Sequence, residues 1–137
     1  MDIEEITSWL RGSAAFQDAP DEAISELSSG FTERHVAEGN PIVCEGENGG
    51  EFFLLASGSA TVSAEKNGEQ KHLGNISRGG IFGEIASLTG GRRMASVTAA
   101  EDCVILAMPQ ESFQAAVKKH PALATSVLSS LERYLIP

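Results

Sequence analysis

Apolar residues recur at helical spacing near the amino terminus. Ile3, Ile6, Trp9 and Leu10 share one face of a predicted helix that Gly12 and Ser13 end. A second helix is predicted within residues 19–30, where Pro20 and two acidic residues form the first turn and Gly30 stops the helix. The inner face of this second helix is expected to carry Ile24 and Leu27.

The pattern changes between Phe31 and Met108, where short apolar runs alternate with glycine-bearing turns. Asn67-Gly68 separates two of these runs and is a strong signal for a two-residue hairpin turn. Most runs have no helix-length crossover between them, so the pattern predicts an antiparallel sandwich or jelly roll rather than a parallel sheet. Strands are predicted at 41–44, 52–56, 60–64, 71–76, 95–99 and 103–108.

Helical periodicity returns after Met108. Residues 109–120 place Phe113, Ala116 and Val117 on one face, and Pro121 ends this segment. Residues 122–136 then carry an apolar stripe that predicts a last helix.

Composition narrows the function without changing this architecture. The chain has 137 residues, 42% of them hydrophobic and 21% charged, as is typical of one globular domain. Nineteen acidic against ten basic residues give a net charge of −9, which disfavours general binding to nucleic acid or to an anionic membrane. The acidic amino terminus is unlike a signal peptide, and no apolar run approaches the ~20 residues of a membrane span. A cytoplasmic location is therefore expected.

The cysteines and histidines give no signal for a metal or redox site. Cys44 and Cys103 lie far apart, each in an apolar run, which predicts two buried free thiols. His35, His72 and His120 are scattered with no H-x-H pair, so each is expected to be a surface or structural residue. No nucleophile has an evident base as a partner. We expect no catalytic residues, no metal and no cofactor, and hence no enzyme activity.

The stretch from Gly79 to Ala99 concentrates the candidate chemistry. It contains Glu84, a short helix-forming run whose first N–H groups favour an anion, and two adjacent arginines. If Ala95 and Val97 face the core, alternation places Arg93 inward, where its charge needs an anionic partner. That partner is either Glu84, in an ion pair, or a phosphate, with Glu84 accepting a hydrogen bond from a sugar hydroxyl.

The segment "FGEIASLTGGRRMASV" closely resembles the phosphate-binding cassette of cyclic nucleotide-binding domains. This family includes the bacterial catabolite activator protein, the regulatory subunits of cyclic-AMP-dependent kinase and cyclic nucleotide-gated channels. The resemblance extends over nearly the whole chain, from the second helix through the glycine-marked strands to the closing helices. It implies an α+β, mainly β fold: an antiparallel jelly-roll barrel flanked by N-terminal helices and two C-terminal helices.

The resemblance also implies a domain organisation. Residues 1–137 would form a single cyclic nucleotide-binding domain, with an N-terminal helical segment at 1–30 and closing helices at 109–136. Between them, residues 31–108 would form the β-roll, and residues 82–97 within it the cassette.

Roles for individual residues follow from the same resemblance. Gly83 would bring the backbone to the phosphate, Glu84 would accept the ribose 2′-hydroxyl, and Ala86 would offer an amide. Arg93 would pair with the exocyclic phosphate oxygens, and Ala95 would donate a backbone N–H. The full set of expected ligand-binding residues is Phe82, Gly83, Glu84, Ile85, Ala86, Arg93, Met94, Ala95 and Ser96.

Departures from the family pattern bear on ligand choice. Met94 stands where cyclic-GMP-selective members carry a threonine, and a thioether cannot replace that hydroxyl, so cyclic AMP is expected over cyclic GMP. Ser87 replaces a leucine, and Arg92 replaces a proline and is expected at the surface. The base would be covered by the last helix, whose candidate lid residues are Leu131, Arg133, Tyr134 and Leu135.

The expected function is a cyclic nucleotide sensor or regulatory domain that couples binding to movement of helix 122–136. Its partner would be an effector domain or protein, or a second copy of the chain through that helix, with neither DNA nor a membrane bound by this chain. Two alternatives share the fold: a degenerate, ligand-free interaction or dimerisation domain, and a sensor of another ligand such as a cyclic dinucleotide or haem. A metal-dependent cupin enzyme would need clustered histidines that the sequence lacks.

Overall fold

The computed structural model describes residues 2–12, 16, 19–82, 93 and 95–123. Three helices and eight strands lie in these ranges. The helices are α1 (Ile3–Gly12), α2 (Asp21–Ser28) and α3 (Gln110–Lys119). The strands are β1 (Thr32–Val36), β2 (Pro41–Val43), β3 (Glu51–Ser57), β4 (Ala60–Lys66), β5 (Glu69–Ile76), β6 (Ile81–Phe82), β7 (Ser96–Ala99) and β8 (Cys103–Pro109).

The strands form two four-stranded antiparallel sheets. The first sheet has the order β1-β8-β3-β6, and the second has the order β2-β7-β4-β5. Apart from the β4–β5 hairpin, neighbours in these orders are far apart in sequence, as in a roll whose strands alternate between sheets. The predicted jelly-roll fold class, mainly β with flanking helices, is confirmed.

The predicted hairpin between β4 and β5 is also confirmed. Lys66 and Glu69 are register partners, and the two residues between them have φ angles of 55° at Asn67 and 81° at Gly68. Two successive positive φ angles define the turn whose twist matches that of the paired strands.

Residues of β3 alternate between two apolar cores because successive side chains point to opposite faces of a sheet. Phe52, Leu54 and Ala56 face the helices, whereas Phe53 and Leu55 face the second sheet. Both faces are covered, so the strand is apolar throughout and all five residues are at most 2% exposed.

The helix-side cluster lies between the first sheet and the three helices. Its aromatic centre is a pair of parallel rings, Phe52 and Phe113, with centroids 4.3 Å apart. The cluster consists of Ile6, Leu10, Phe16, Ala19, Ala23, Ile24, Leu27, Phe31, Phe52, Leu54, Ala56, Ile81, Leu106, Met108, Phe113, Ala116 and Leu123.

The roll interior lies between the two sheets. Most of its members come from alternate positions of the long strands, which is why β4 and β7 show the buried and half-buried alternation of one-sided strands. It consists of Val43, Phe53, Leu55, Ala60, Val62, Ile76, Phe82, Val97, Ala99, Cys103, Ile105 and Ala107.

Polar contacts hold the helices to one another. The hydroxyl groups of Thr7 in α1 and Ser28 in α2 lie 2.8 Å apart. Glu26 of α2 accepts hydrogen bonds from Lys119 at 3.2 Å and from His120 at 3.0 Å, at the end of α3. Trp9 of α1 lies under the guanidinium of Arg78, whose Cζ is 4.2 Å from the ring centroid, so α1 also contacts the turn before β6.

Two sequence predictions need correction. Residues 32–36 form strand β1, which was not predicted because its sequence, TERHV, is polar and its side chains are mostly exposed. Its pairing with β8 is made by the backbone. Cys44 is half-buried rather than buried, whereas Cys103 is 2% exposed, and both thiols are free.

The last predicted helix, 122–136, lies outside the described residues except for Ala122 and Leu123. Leu123 is fully buried in the helix-side cluster. None of the described helices is both long enough and apolar enough to cross a membrane.

Candidate functional site

The backbone of Arg93 is fixed to the loop between β2 and β3. The N–H of Arg93 donates to the carbonyl of Glu47 at 2.8 Å, and the N–H of Gly46 donates to the carbonyl of Arg93 at 3.0 Å. Such a reciprocal pair resembles one rung of an antiparallel ladder. These two hydrogen bonds therefore fix the position of the Arg93 backbone beside the loop that precedes β3.

The side chain of Arg93 points inward, as alternation with Ala95 and Val97 predicted. The residue is 9% exposed, Val97 is 4% exposed, and Ala95 packs against the roll interior. The Nη2 atom of Arg93 donates to the backbone carbonyl of Glu51 at 3.0 Å. A guanidinium carries five N–H donors in a planar fork, so the bond to the Glu51 carbonyl constrains its orientation.

An aromatic ring faces this guanidinium. The Cζ atom of Arg93 lies 5.5 Å from the ring centroid of Phe53, which is within the range of a cation–π interaction. Phe53 in turn stacks on Phe82, with centroids 4.9 Å apart and an interplanar angle of 16°. The two phenylalanines are register partners of β3 and β6, so the sheet itself places the rings together.

A surface ion pair lies on the other side of Glu51. The Glu51 carboxylate accepts hydrogen bonds from both terminal nitrogens of Arg34 in β1, and Nη1 and Oε1 are 2.9 Å apart. The two side chains are 47% and 31% exposed, so the pair contributes little to stability, about 1 kcal/mol or less. It keeps the Glu51 carboxylate bound to a cation other than Arg93.

Ser96, an expected ligand-binding residue, has a structural contact. Its Oγ accepts a hydrogen bond from the N–H of Glu45 at 2.9 Å. The Glu45 carboxylate accepts one from the N–H of Glu65 at 2.9 Å. Ser96 therefore connects β7 to the same loop that holds the backbone of Arg93.

The structure thus describes four of the expected site residues: Phe82 and Ala95 belong to or pack against the roll interior, and Arg93 and Ser96 are hydrogen-bonded to the loop between β2 and β3. Four other residues of the expected ligand-binding set and Met94 lie outside the described residues, as do the four lid candidates. The assignment of Glu84 to an ion pair or to a sugar hydroxyl therefore stays a prediction. These residues are Gly83, Glu84, Ile85, Ala86, Met94, Leu131, Arg133, Tyr134 and Leu135.

The three histidines make local contacts. His35 lies 2.6 Å from the Glu33 carboxylate, His72 lies 3.1 Å from Asn75 Oδ1, and His120 pairs with Glu26. A search of the described residues finds no group of three or more side chains that could ligate a metal ion.

Sequence reasoning missed Phe53 and the carbonyl of Glu51 as neighbours of Arg93. The alternation of β3 places Phe52 and Phe53 on opposite faces of the sheet. It does not predict which of the two faces Arg93, which lies about 40 residues later in the chain. A backbone carbonyl leaves no signal in the sequence at all.

The description of this region as a cyclic nucleotide-binding domain is supported by a family comparison. Residues 33–120 match the family model of the cyclic nucleotide-binding domain. The chain belongs to this family. The match extends from β1 to the end of α3 and includes Phe82, Arg93, Ala95 and Ser96.

Individual members of the cyclic nucleotide-binding domain family resemble most of the chain. The cyclic AMP receptor protein of Thermus thermophilus is 31% identical over 127 residues, which are 92% of this chain and 59% of that protein. The cGMP-dependent protein kinase 2 of Mus musculus is 28% identical over 117 residues, 83% of this chain and 15% of that protein. The chain therefore corresponds to a part of each relative.

A solved structure shows the same fold. The regulatory domain of Toxoplasma gondii PKA, crystallised with cAMP, superimposes with a TM-score of 0.81 at 24% identity, covering 90% of this chain and 46% of that one.

Proposed function

We propose that this domain binds a 3′,5′-cyclic nucleotide beside Arg93, next to the roll interior, and acts as a sensor. The observation that carries the proposal is Arg93, a nearly buried arginine beside the segment that resembles a phosphate-binding cassette. Burial strengthens the interaction of a guanidinium with a phosphate because the surrounding protein screens charge less than water does.

The proposed roles of the site residues are those of the family's cassette. Arg93 pairs with the exocyclic phosphate oxygens, and the amides near Gly83 and Ala86 and at Ala95 donate to the same phosphate. Glu84 accepts the ribose 2′-hydroxyl. Phe82, Ile85, Met94 and Ser96 complete the expected set, with Phe82 and Ser96 supporting the site through the stacked rings and the loop contact described above.

Cyclic AMP is the proposed preferred ligand. The thioether of Met94 has no hydrogen to donate to a guanine, so cyclic GMP gains no added hydrogen bond at this position. Relatives named for cAMP and relatives named for cGMP both match this chain, so similarity alone does not choose between the ligands.

The proposed output is movement of helix 122–136, with Leu131, Arg133, Tyr134 and Leu135 as candidates to cover the base. A ligand that contacts both the cassette and this helix favours the arrangement in which the two are close. The proposed partner is an effector domain or protein, or a second copy of the chain through this helix. The proposal assigns the domain no catalytic step and a cytoplasmic location.

A thermal-shift series on protein purified free of ligand tests the proposal. Binding to the folded state alone stabilises by about 2.7 kcal/mol at a hundredfold excess over the dissociation constant. We expect cyclic AMP to raise the melting temperature, AMP to do so much less, and Arg93→Ala to remove at least about half of the stabilisation at this ligand excess, and most of it if binding weakens a hundredfold. Arg11→Ala is the matched control, because it removes the same charge from α1, where Arg11 pairs with Asp21. The absence of any shift with cyclic AMP and cyclic GMP contradicts the proposal and favours a ligand-free interaction domain.

Ligand choice is tested at residue 94. Met94→Thr supplies a hydroxyl that can bond guanine, so the ratio of the dissociation constants for cyclic GMP and cyclic AMP is expected to fall about tenfold. An unchanged ratio shows that Met94 does not determine the preference.

A further inference from the structure

Phe53 contacts two residues of the segment that resembles the cassette. Its ring lies 5.5 Å from the Cζ of Arg93 and 4.9 Å from the ring centroid of Phe82. Phe82 directly precedes Gly83, and Arg93 follows ten positions later. One side chain of β3 therefore contacts the residues on either side of 83–92, which include the predicted phosphate-binding amides near Gly83 and Ala86.

We propose that Phe53 is a positioning residue for the phosphate site, acting through a cation–π contact that orients the Arg93 guanidinium. The inference rests on the proposed function, since it concerns how the same arginine meets its ligand. It assigns Phe53 no contact with the nucleotide.

The two contacts of the guanidinium with β3 restrict different motions. The ring of Phe53 holds the guanidinium from one side, and the carbonyl of Glu51 receives Nη2 at 3.0 Å and restricts rotation of the fork. Glu51 and Phe53 are two residues apart in one strand, so both constraints come from the same rigid element. A guanidinium held in this way loses less conformational freedom when it binds a phosphate.

Burial makes the contact with the ring electrostatically significant. Phe53 is 2% exposed and Arg93 is 9% exposed, so water competes weakly for the cation. Cation–π contacts are strongest where both partners are desolvated. The stacked Phe82 ring, 3% exposed, packs against Phe53 at a centroid distance of 4.9 Å, so Phe53 is enclosed by neighbouring side chains.

The chain provides a matched control on the opposite face of the sheet. Phe113 is fully buried in the helix-side cluster and stacks on Phe52, with centroids 4.3 Å apart and an interplanar angle of 3°. Its nearest aromatic contact has the same type of geometry as the Phe53–Phe82 pair. The two rings differ in one respect: Phe53 has a cation nearby, Arg93, whereas no described contact of Phe113 involves a cation.

The decisive experiment replaces Phe53 with mono-, di- and trifluorophenylalanine by site-specific incorporation. Ring fluorination withdraws charge from the aromatic face with little change of size, so it weakens a cation–π contact and leaves packing nearly intact. Calorimetric titration with cyclic AMP is expected to show a stepwise loss of affinity, about tenfold in total for the trifluoro ring. The same series at position 113 is expected to change the affinity by less than about twofold.

Two outcomes of the titration overturn the positioning role while leaving the proposed function in place. A flat series at position 53 with normal binding means that the ring only fills space. Affinity that rises with fluorination means that the ring draws Arg93 away from the ligand. Failure of the unmodified protein to bind cyclic AMP or cyclic GMP overturns the proposed function, and the positioning role with it.

Melting temperatures without ligand provide an independent test of the contact. Fluorination of Phe53 is expected to lower the melting temperature in the parent chain and to have a smaller effect in the Arg93→Met variant, which has no cation. Equal losses in the two backgrounds contradict the proposal, because they assign the effect to packing.

Discussion

The two faces of the first sheet differ in what they bury. Among the described residues, the helix-side cluster is wholly apolar, with three aromatic side chains around Phe52, and it joins α1, α2 and α3 to the sheet. The roll interior contains more small residues and has a nearly buried cation, Arg93, beside it. Strand β3 contributes to both, with Phe52 on one face and Phe53 on the other. Together with the proposed function, this difference predicts that the helix side contributes to stability alone and that the roll side also supports binding.

The substitution with the largest expected effect tests whether stability and ligand affinity depend on different faces of the sheet. Phe113→Ala removes a fully buried ring from the helix-side cluster and is expected to lower the free energy of unfolding by about 3–5 kcal/mol, as measured by urea denaturation. Affinity for cyclic AMP, measured where the variant remains folded, is expected to change less than about threefold. A larger loss of affinity in the folded variant contradicts the separation of the two faces.

A substitution at Gly58, with a smaller expected effect on the free energy of unfolding, tests whether the roll interior also contributes to stability. Gly58, between β3 and β4, has φ +92°, and a Cβ there would lie 2.5 Å from the carbonyl oxygen of Asp102 and 2.9 Å from Cys103 Sγ. Gly58→Ala is expected to lower the free energy of unfolding by about 2–3 kcal/mol because it adds a clash to the strain of a positive φ.

The control for this change is Gly39→Ala. Gly39 has φ +87°, but a Cβ there would have no neighbour within 4 Å, so only the strain remains, about 1 kcal/mol. Equal losses of stability at the two glycines would show that the end of the interior near Cys103 yields to an added methyl group, unlike a close-packed core.

The smallest expected effect concerns the reactivity of the two thiols, Cys44 beside the loop between β2 and β3 and Cys103 in the roll interior. A hydrogen bond to Glu47 raises the pKa of the half-buried Cys44, and burial raises the pKa of Cys103. A raised pKa leaves less thiolate at a given pH, so both thiols are expected to react more slowly with iodoacetamide near pH 8 than an ordinary thiol.

Glu47→Gln provides the sharper comparison. Removing the carboxylate is expected to lower the pKa of Cys44 and to speed its alkylation about two- to fivefold, with Cys103 unaffected. Mass spectrometry of the labelled peptides measures both rates. Faster labelling of Cys103 than of Cys44 would mean that the end of the interior near Cys103, rather than the loop at Arg93, is the accessible one.

Much of the fold could be predicted because the apolar pattern records which strands and helices are buried. The helices α1, α2 and α3 and the hairpin at Asn67-Gly68 follow from spacing and turn chemistry. Strand β1 could not be predicted, because its polar side chains carry no alternation and its pairing with β8 depends on backbone groups.

The site was only partly predictable from the sequence. The inward direction of Arg93 follows from alternation with Ala95 and Val97. Its contacts with the Glu51 carbonyl and the Phe53 ring depend on how the loop between β2 and β3 meets β7, a long-range register that no local pattern encodes. The roles of Glu84 and Met94 stay predictions.

Calorimetric titration with cyclic AMP of the parent chain and of Arg93→Ala, at a temperature where both are folded, is the most direct test of the central claim. Loss of a charge-assisted, nearly buried hydrogen-bonding partner is expected to weaken binding by about tenfold to a hundredfold or more. We predict saturable binding to the parent chain and this loss in the variant. Equal affinity in the two proteins would contradict the assignment of the phosphate to Arg93.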